Sequence, residues 1–373
     1  MKERTLMSDV IKWLRFPLVV GVVFIHCLNV ILDVDDIHFG DLSAVDCYNL
    51  LRIAVSNVLS RVCVPLFFTI SGYLFFTNLE KWNWSVCVQK LKKRVQGILI
   101  PYLLWITIAI LYHVAILLAK GGGGVAVSTF FSENGYWHLY WDCFELDPVK
   151  LSWTGMEVHS STPYHYALWY LRDLMVMMVL SPCFYFLFKR LKIWGLALLA
   201  INYVSNICAF VPELLPTPLF FFGAGAYLQI NKIDATKCFR PYEKVFYVFA
   251  LLLFFVCVRF NSFLTYTGNL FFPFFVITGS ISTFNIATRI VEKRGLGRME
   301  KLSNEAFFIY LVHPIAITPL CVHAVDVICK GNPYALSLGY LVLPFIIISI
   351  CLAICWMLKR FIPALYSILT GGR

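Results

Sequence analysis

The chain contains ten long apolar stretches, and most of them approach the roughly 20 residues that an α-helix needs to cross the hydrocarbon core of a bilayer. Apolar residues run through each stretch continuously, without the alternation typical of a strand in a membrane β-barrel. The sequence therefore predicts an all-α polytopic membrane protein with about ten transmembrane helices, in which residues 1–373 form a single transmembrane domain. The stretches are 11–31, 51–76, 97–119, 166–188, 193–210, 216–230, 245–260, 268–288, 304–326 and 334–358.

The composition excludes the other common classes of protein. Of the 373 residues, 60% are hydrophobic and 14% are charged, whereas a soluble chain has about 45–50% apolar and about 25% charged residues. A soluble enzyme, a disordered chain and a small disulfide scaffold are therefore all excluded. The 13 cysteines form no CxxC pair, and we interpret them as small apolar core residues.

The basic residues are distributed unevenly between the two sides of the predicted membrane. If the N-terminus is inside, the cytoplasmic segments hold 23 of the 31 Lys and Arg residues and the outer segments hold five. Cytoplasmic loops carry the excess of positive charge in membrane proteins, so both termini are predicted to be cytoplasmic. The net charge of +10 then reflects orientation in the lipid bilayer and does not indicate a nucleic-acid partner.

Arg15 and His26 are ionisable residues within the first stretch. His26 lies eleven positions after Arg15, and eleven steps of about 100° come to within about 20° of three full helical turns. Both side chains therefore share one helix face, and they are separated by about 16 Å along the helix axis. Charged groups are costly inside a membrane and usually face a polar cavity. Alternatively, Arg15 is a snorkelling residue at a helix end, and His26 is a core histidine bonded to a neighbouring helix.

Three further stretches carry buried polar groups. Arg61 lies near the middle of the second stretch, and His313 lies in the ninth at a depth similar to that of His26. In the fourth stretch Arg172 is followed by Asp173; neighbouring residues point about 100° apart and need not pair with each other. Gly72 in the second stretch permits the close approach of another backbone.

Two segments between the stretches have an ambiguous composition. The basic run 90–94 before the third stretch fits both the cytoplasmic charge excess and the binding of a phosphorylated ligand. The outer loop 120–165 is rich in aromatic residues and histidines, which suit stacking on sugar rings and the membrane interface equally well. These residues are Tyr136, Trp137, Tyr140, Trp141, Trp153, Tyr164, His138, His159 and His165.

Five segments of the chain resemble, in order, the motifs of membrane acyltransferase family 3. They are Arg15-x10-His26, residues 61–74, the basic run ending at Arg94 with 100–102, residues 168–174, and residues 307–314. Many members carry an Asp three residues before the signature Arg, and here that position is Lys12. Some members also have an outer hydrolase-like domain, which we do not expect here.

The resemblance implies transfer of an acyl group, often acetyl from acetyl-CoA, to a hydroxyl of a cell-envelope glycan or lipid-linked sugar in the bacterial cytoplasmic (inner) membrane. His26 would act as general base on the acceptor hydroxyl. Arg61 or His313 would stabilise the oxyanion or orient His26, and Arg15 would contribute to catalysis and to donor binding. A covalent acyl-histidine intermediate is the alternative mechanism. The remaining predicted contacts are Ser71, Lys92, Lys93 and Arg94 with acyl-CoA, and Tyr166, Trp169, Arg172 and Tyr310 with the acceptor.

A different class of function also fits the predicted topology. Ten spans with intramembrane charges are compatible with a transporter or flippase for a glycan or small solute. A test with acyl-CoA separates the two classes, since only the enzyme consumes it. The histidines show no HxxH or HExxH spacing, so we expect no metal cofactor. The sequence does not indicate the oligomeric state.

Overall fold

A computed structural model describes residues 5–27, 42–77, 82–150, 157–206, 215–260 and 271–372, excluding the side chains of 147–150 and 157–159. These ranges contain eighteen α-helices and one antiparallel two-stranded sheet. The helices are α1 Leu6–His26, α2 Ala44–Arg52, α3 Cys63–Phe76, α4 Trp84–Arg94, α5 Ile100–Ala119, α6 Gly123–Asn134, α7 Tyr136–Trp141, α8 Trp169–Val179, α9 Ser181–Leu191, α10 Ile193–Ser205, α11 Pro216–Ile230, α12 Ala235–Cys238, α13 Glu243–Arg259, α14 Phe272–Arg294, α15 Met299–Val312, α16 Thr318–Cys329, α17 Pro333–Phe361 and α18 Pro363–Thr370. The strands are β1 Phe144–Lys150 and β2 Glu157–Thr162.

Several of these helices join end to end into segments that are long enough to cross a membrane. Within the described residues six segments combine sufficient length with sufficient apolar character, and the bent pair α8–α9 would make a seventh. The pair bends by 57° at Leu180, just before Pro182. The multi-pass helical architecture is therefore confirmed. The six segments are Ala44–Phe76, Trp84–Ala119, Ala235–Arg259, Phe272–Arg294, Met299–Cys329 and Pro333–Phe361.

The count of about ten spans and the cytoplasmic position of both termini are not confirmed. α1 carries Asp9, Lys12 and Arg15 among its 21 residues, which is more charge than an ordinary lipid-facing span tolerates. α10 and α11 have only 13 and 15 residues, fewer than the roughly 20 that a straight span needs. The predicted spans 11–31, 193–210 and 268–288 also extend partly beyond the described residues.

α1 is enclosed by protein, which explains how it accommodates its charges. It packs against α3, α14, α15 and α17, and Val10, Leu14, Val19 and Val23 are fully buried. Most of its surface therefore contacts other helices instead of lipid.

Residues 123–162, here named the outer segment because they belong to the predicted outer loop, add β-structure to the otherwise helical part of the chain that the structure describes. It consists of α6, α7 and the β1–β2 hairpin, in which Phe144 pairs with Thr162 and Lys150 with Glu157 around an irregularity between Leu146 and Val149. Apart from this small hairpin, the described residues agree with the expected all-α membrane class.

Among the described glycines, those with the tightest surroundings lie where α3 packs against α11. A Cβ atom on Gly72 would lie 2.1 Å from the Phe222 carbonyl oxygen, and one on Gly225 would lie 1.9 Å from that of Thr69. Only glycine fits at these contacts, so the prediction that Gly72 permits a close backbone approach is confirmed.

Gly225→Ala is expected to lower the free energy of unfolding by about 1–3 kcal/mol, because the added methyl group must push two backbones apart. The measurement is the midpoint of thermal unfolding of the purified protein in detergent. Gly124→Ala is the matched control, since its Cβ would meet no atom within 4 Å. Equal midpoints for the two variants would contradict the assigned packing.

Candidate active site

His26 and His313 lie against each other, with ring centroids 5.2 Å apart. His26 is the last residue of α1, and His313 directly follows α15. Near the other ends of these helices, Lys12 Nζ lies 2.8 Å from Glu300 Oε1. The two contacts are separated by fourteen residues in α1 and thirteen in α15, about 21 and 20 Å of helical rise. α1 and α15 are therefore parallel neighbours, and their matched lengths bring the histidines together.

Lys12 also accounts for the departure of this chain from the family pattern. Its partner Glu300 lies in the first turn of α15, where a carboxylate interacts favourably with the helix dipole. The two side chains are 26% and 36% exposed, so the pair is worth at most about 1 kcal/mol. An ion pair between two helices thus occupies the place where many members have an Asp.

The hydrogen bonding of His313 identifies its basic nitrogen. Nδ1 lies 2.8 Å from the Ile309 carbonyl oxygen, and because a carbonyl only accepts, Nδ1 must be the donor. In the neutral ring Nε2 then holds the lone pair. Nε2 is buried without a hydrogen-bond partner, on a side chain that is 0% exposed. His313 therefore has one free basic nitrogen beside His26.

Residues 165–167, which precede α8, contact both histidine-bearing helices. The Tyr166 ring packs edge-on against His26 at 5.1 Å between centroids. The Tyr310 hydroxyl donates to the Ala167 carbonyl oxygen at 2.5 Å. His165 Nε2 lies 3.0 Å from the Leu311 carbonyl oxygen. His165 belongs to the predicted outer loop 120–165, yet the residue is only 3% exposed. Its position beside the fourth apolar stretch is the sequence signal that points to burial.

Arg61 lies in the 3₁₀ turn Leu59–Val62 that precedes α3. It is half-buried. His26 and His313 are in contact with each other, and the place of Arg61 beside them stays a prediction.

A cavity of about 270 Å³ lies beside this cluster. Its wall includes two arginines, Arg15 from α1 and Arg94 from α4, and no carboxylate among the described residues. Ser71, Tyr170 and Tyr310 also line it, with Ser71 Oγ 3.1 Å from the Tyr170 hydroxyl. The cavity is therefore positively charged and suits an anionic ligand.

The cavity stops short of the histidines. Val22 lines it, and Val22 lies four residues, or about 6 Å of helical rise, before His26. Tyr310 also lines the cavity. Its hydroxyl bonds to Ala167, and the neighbouring residue Tyr166 contacts His26. One end of the cavity thus lies about one helical turn from the His26–His313 pair, and Arg15 lies about 16 Å from His26 along α1.

The family model of acyltransferase family 3, described as "Acyltransferase domain", matches residues 9–360. The chain belongs to acyltransferase family 3. The succinoglycan biosynthesis protein ExoH of Rhizobium meliloti (strain 1021) is 26% identical over 385 aligned residues, covering 97% of this chain and 92% of that protein. No solved structure matches the chain. The resemblance drawn from the five motifs is therefore confirmed.

The basic run of this acyltransferase does not act as one group. Arg94 lines the cavity, whereas Lys92 and Lys93 are exposed and do not. Lys90 caps the end of α3 by donating to the carbonyl oxygens of Phe75 and Thr77 at 2.7 and 2.9 Å. Neither Lys92 nor Lys93 lines the cavity, and donor binding by these two residues stays a prediction.

Arg172 connects the outer segment to α8. It is 1% exposed and donates to the carbonyl oxygens of Trp141 and Ser161 at 2.7 and 3.1 Å. Its Nε also pairs with Asp173 at 2.9 Å, a pairing that adjacency on a helix leaves open and does not require. The long side chain bends back to reach its neighbour. These are all internal contacts, so acceptor binding by Arg172 stays a prediction.

The other predicted acceptor residues differ in their access. Tyr166 is 37% exposed and contacts His26, whereas Trp169 packs on Phe68 at 6.4 Å between centroids. Just after the outer segment, burial raises the pKa of Tyr164 to about 12, with a smaller effect from Cys143, so its hydroxyl stays neutral. Within the described part of the chain no group of three His, Cys, Asp or Glu side chains is placed to hold a metal ion.

Proposed function

We propose that the protein is an integral membrane O-acyltransferase of the bacterial cytoplasmic membrane. It transfers an acyl group, acetyl in the simplest case, from cytosolic acyl-CoA to a hydroxyl of a cell-envelope glycan or lipid-linked sugar. The observation that carries the proposal is the pairing of His26 and His313 about one helical turn beyond a cavity that is lined by two arginines. The name of the relative, a succinoglycan biosynthesis protein, supports a polysaccharide acceptor.

The acyl-CoA donor fits the cavity with its thioester towards the histidines and its nucleotide towards the opposite end. A volume of about 270 Å³ lies just below the roughly 300–1,000 Å³ of sites that enclose a drug-sized ligand. The cavity therefore holds the pantetheine arm and the acyl group, and the nucleotide remains outside. Arg94 and Arg15 provide the positive charge that phosphates require. The extended arm is comparable in length to the separation of Arg15 and His26, so the thioester lies near the histidines.

The reaction follows from the residues around the thioester. His26 takes the proton of the acceptor hydroxyl, and the oxygen attacks the thioester carbonyl. The guanidinium of Arg61 stabilises the negative charge on the carbonyl oxygen. The carbon–sulfur bond then breaks, and the proton held by His26 passes to the CoA thiolate. His313, with its free Nε2 beside His26, orients the His26 ring and stabilises its protonated form.

The acceptor approaches from the side of Tyr166 and the outer segment. Tyr166 is the partly exposed residue that contacts His26. In the outer segment the Trp137 and Trp141 rings stack at 6.0 Å between centroids, and Trp137 is 68% exposed. Such a pair presents an aromatic face on which a sugar ring can stack. A glycan on this side would place one hydroxyl towards His26.

The decisive experiment uses the purified protein in liposomes with labelled acetyl-CoA on one side and a lipid-linked sugar as acceptor. We expect label on the sugar and release of free CoA in equal amounts. Movement of the sugar across the bilayer without consumption of acetyl-CoA would indicate a transporter and overturn the proposal.

Arg94→Ala is expected to weaken CoA binding about tenfold, because a charge-assisted hydrogen bond to a phosphate is worth about 1.5–3 kcal/mol. The measurement is the dissociation constant for CoA by equilibrium binding to the detergent-solubilised protein. Lys93→Ala is the matched control, since Lys93 is adjacent but exposed. Equal losses in both variants would favour a diffuse surface charge over a site at Arg94.

A further inference from the structure

His165 is a buried histidine to which the proposed reaction assigns no role. It directly precedes the 3₁₀ turn Tyr166–Leu168 at the start of α8. Its Nε2 donates to the Leu311 carbonyl oxygen at 3.0 Å, because that oxygen can only accept. Its Nδ1 is buried without a hydrogen-bond partner. Burying a side chain whose polar nitrogen lacks a hydrogen-bond partner costs free energy.

The acceptor of this bond lies at a special point of the backbone. Leu311 is two residues before His313, where α15 ends and the π-helical turn His313–Ile317 begins. The hydrogen-bond spacing changes there from four residues to five, and Pro314 lacks the N–H that would otherwise bond to the carbonyl of Tyr310, the residue before Leu311. The helical hydrogen-bond ladder is therefore interrupted next to Leu311, and His165 donates to the Leu311 carbonyl oxygen at this point.

We propose that His165 is a positioning residue that fixes the start of this π turn and so holds the His313 imidazole against His26. The catalytic importance of this positioning rests on the proposed acyl transfer, whereas the hydrogen bond from His165 to Leu311 is independent of it. The next two residues support the same role, since Tyr166 packs on His26 and Ala167 accepts from Tyr310. Residues 165–167 therefore fix both histidine-bearing helices from the outer side.

Two variants of similar polarity separate positioning from other roles. In His165→Gln the side-chain amide nitrogen lies close to the place of the imidazole Nε2, so the bond to Leu311 is kept. In His165→Asn the amide is one carbon shorter and cannot reach that oxygen. Both replacements remove the second ring nitrogen and the imidazole itself, so they differ chiefly in the bond.

The first measurement is steady-state transfer by both variants. His165→Asn is expected to lose at least tenfold in kcat with an unchanged KM for acyl-CoA, since small misplacements of reacting groups are costly. His165→Gln is expected to stay within about threefold of the parent. Equal loss in the two variants would indicate that the ring itself carries a proton and would overturn the positioning role, as would full activity in both.

The second measurement does not depend on activity. Amide hydrogen exchange of the segment 311–318, followed by mass spectrometry in lipid nanodiscs, is expected to be faster in His165→Asn and unchanged in His165→Gln. Unchanged exchange in His165→Asn would overturn the inference. If the parent protein transfers no acyl group, the proposed function fails, yet this measurement still decides whether His165 fixes the π turn.

Discussion

His26→Gln is expected to reduce the rate of acyl transfer by about 10²–10⁴-fold, the usual contribution of a general base. The glutamine side chain keeps polarity and approximate size but cannot take a proton from the acceptor hydroxyl. The ring of His26 contacts both His313 and Tyr166, so it lies between α15 and the segment that precedes α8. The KM for acyl-CoA should change little, because His26 does not line the cavity.

The measurement is kcat and KM for transfer from labelled acyl-CoA by the purified variant. His323→Gln is the matched control, since His323 is an exposed histidine on α16, and it should retain full activity. Retained activity in His26→Gln would contradict both a general base and an acyl-histidine. Rapid quenching followed by peptide mass analysis then separates these two mechanisms, because only the second adds an acyl mass to His26.

Arg61→Met is expected to lower kcat by about 10²–10³-fold, the cost of removing one donor to a developing oxyanion. Methionine fills a similar volume without charge, so the packing of the turn before α3 is largely kept. Arg61→Lys keeps the charge but not the planar group of donors, and we expect an intermediate value. The effect should appear in kcat, since Arg61 does not line the cavity.

The comparison is again steady-state kinetics, with Arg360→Met as control, because Arg360 is exposed at the end of α17. A rise in the KM for acyl-CoA at constant kcat would assign Arg61 to donor binding and contradict its place beside the reacting carbonyl.

The helices of this protein were predictable from continuous apolar runs, but the number of spans was not. α10 and α11 are shorter than a bilayer is thick, and the tight Gly72–Gly225 packing that involves α11 is a tertiary contact. α1 carries charges that only its enclosure by other helices can explain. The length of an apolar run therefore identifies a helix, whereas its packing against neighbouring helices decides whether that helix faces lipid.

The site was predictable where it depends on helical spacing. An α-helix rotates by about 100° and rises by about 1.5 Å per residue. These two values predict that Arg15 and His26 share a helix face and that His313 lies at a depth similar to that of His26. The same rule shows why only one of Lys92, Lys93 and Arg94 can face the cavity, since consecutive side chains point in different directions. His165 was not predictable, because its contact with Leu311 depends on how the segment before α8 folds back.

The matched lengths of α1 and α15 have a consequence for how this chain can change. Lys12 and Glu300 meet near one end, and His26 and His313 meet at the other. One extra residue between the two contacts in either helix would turn one histidine by about 100° and shift it by about 1.5 Å. We therefore expect an inserted residue to keep the two histidines in contact only when it lies outside the segments 12–26 and 300–313.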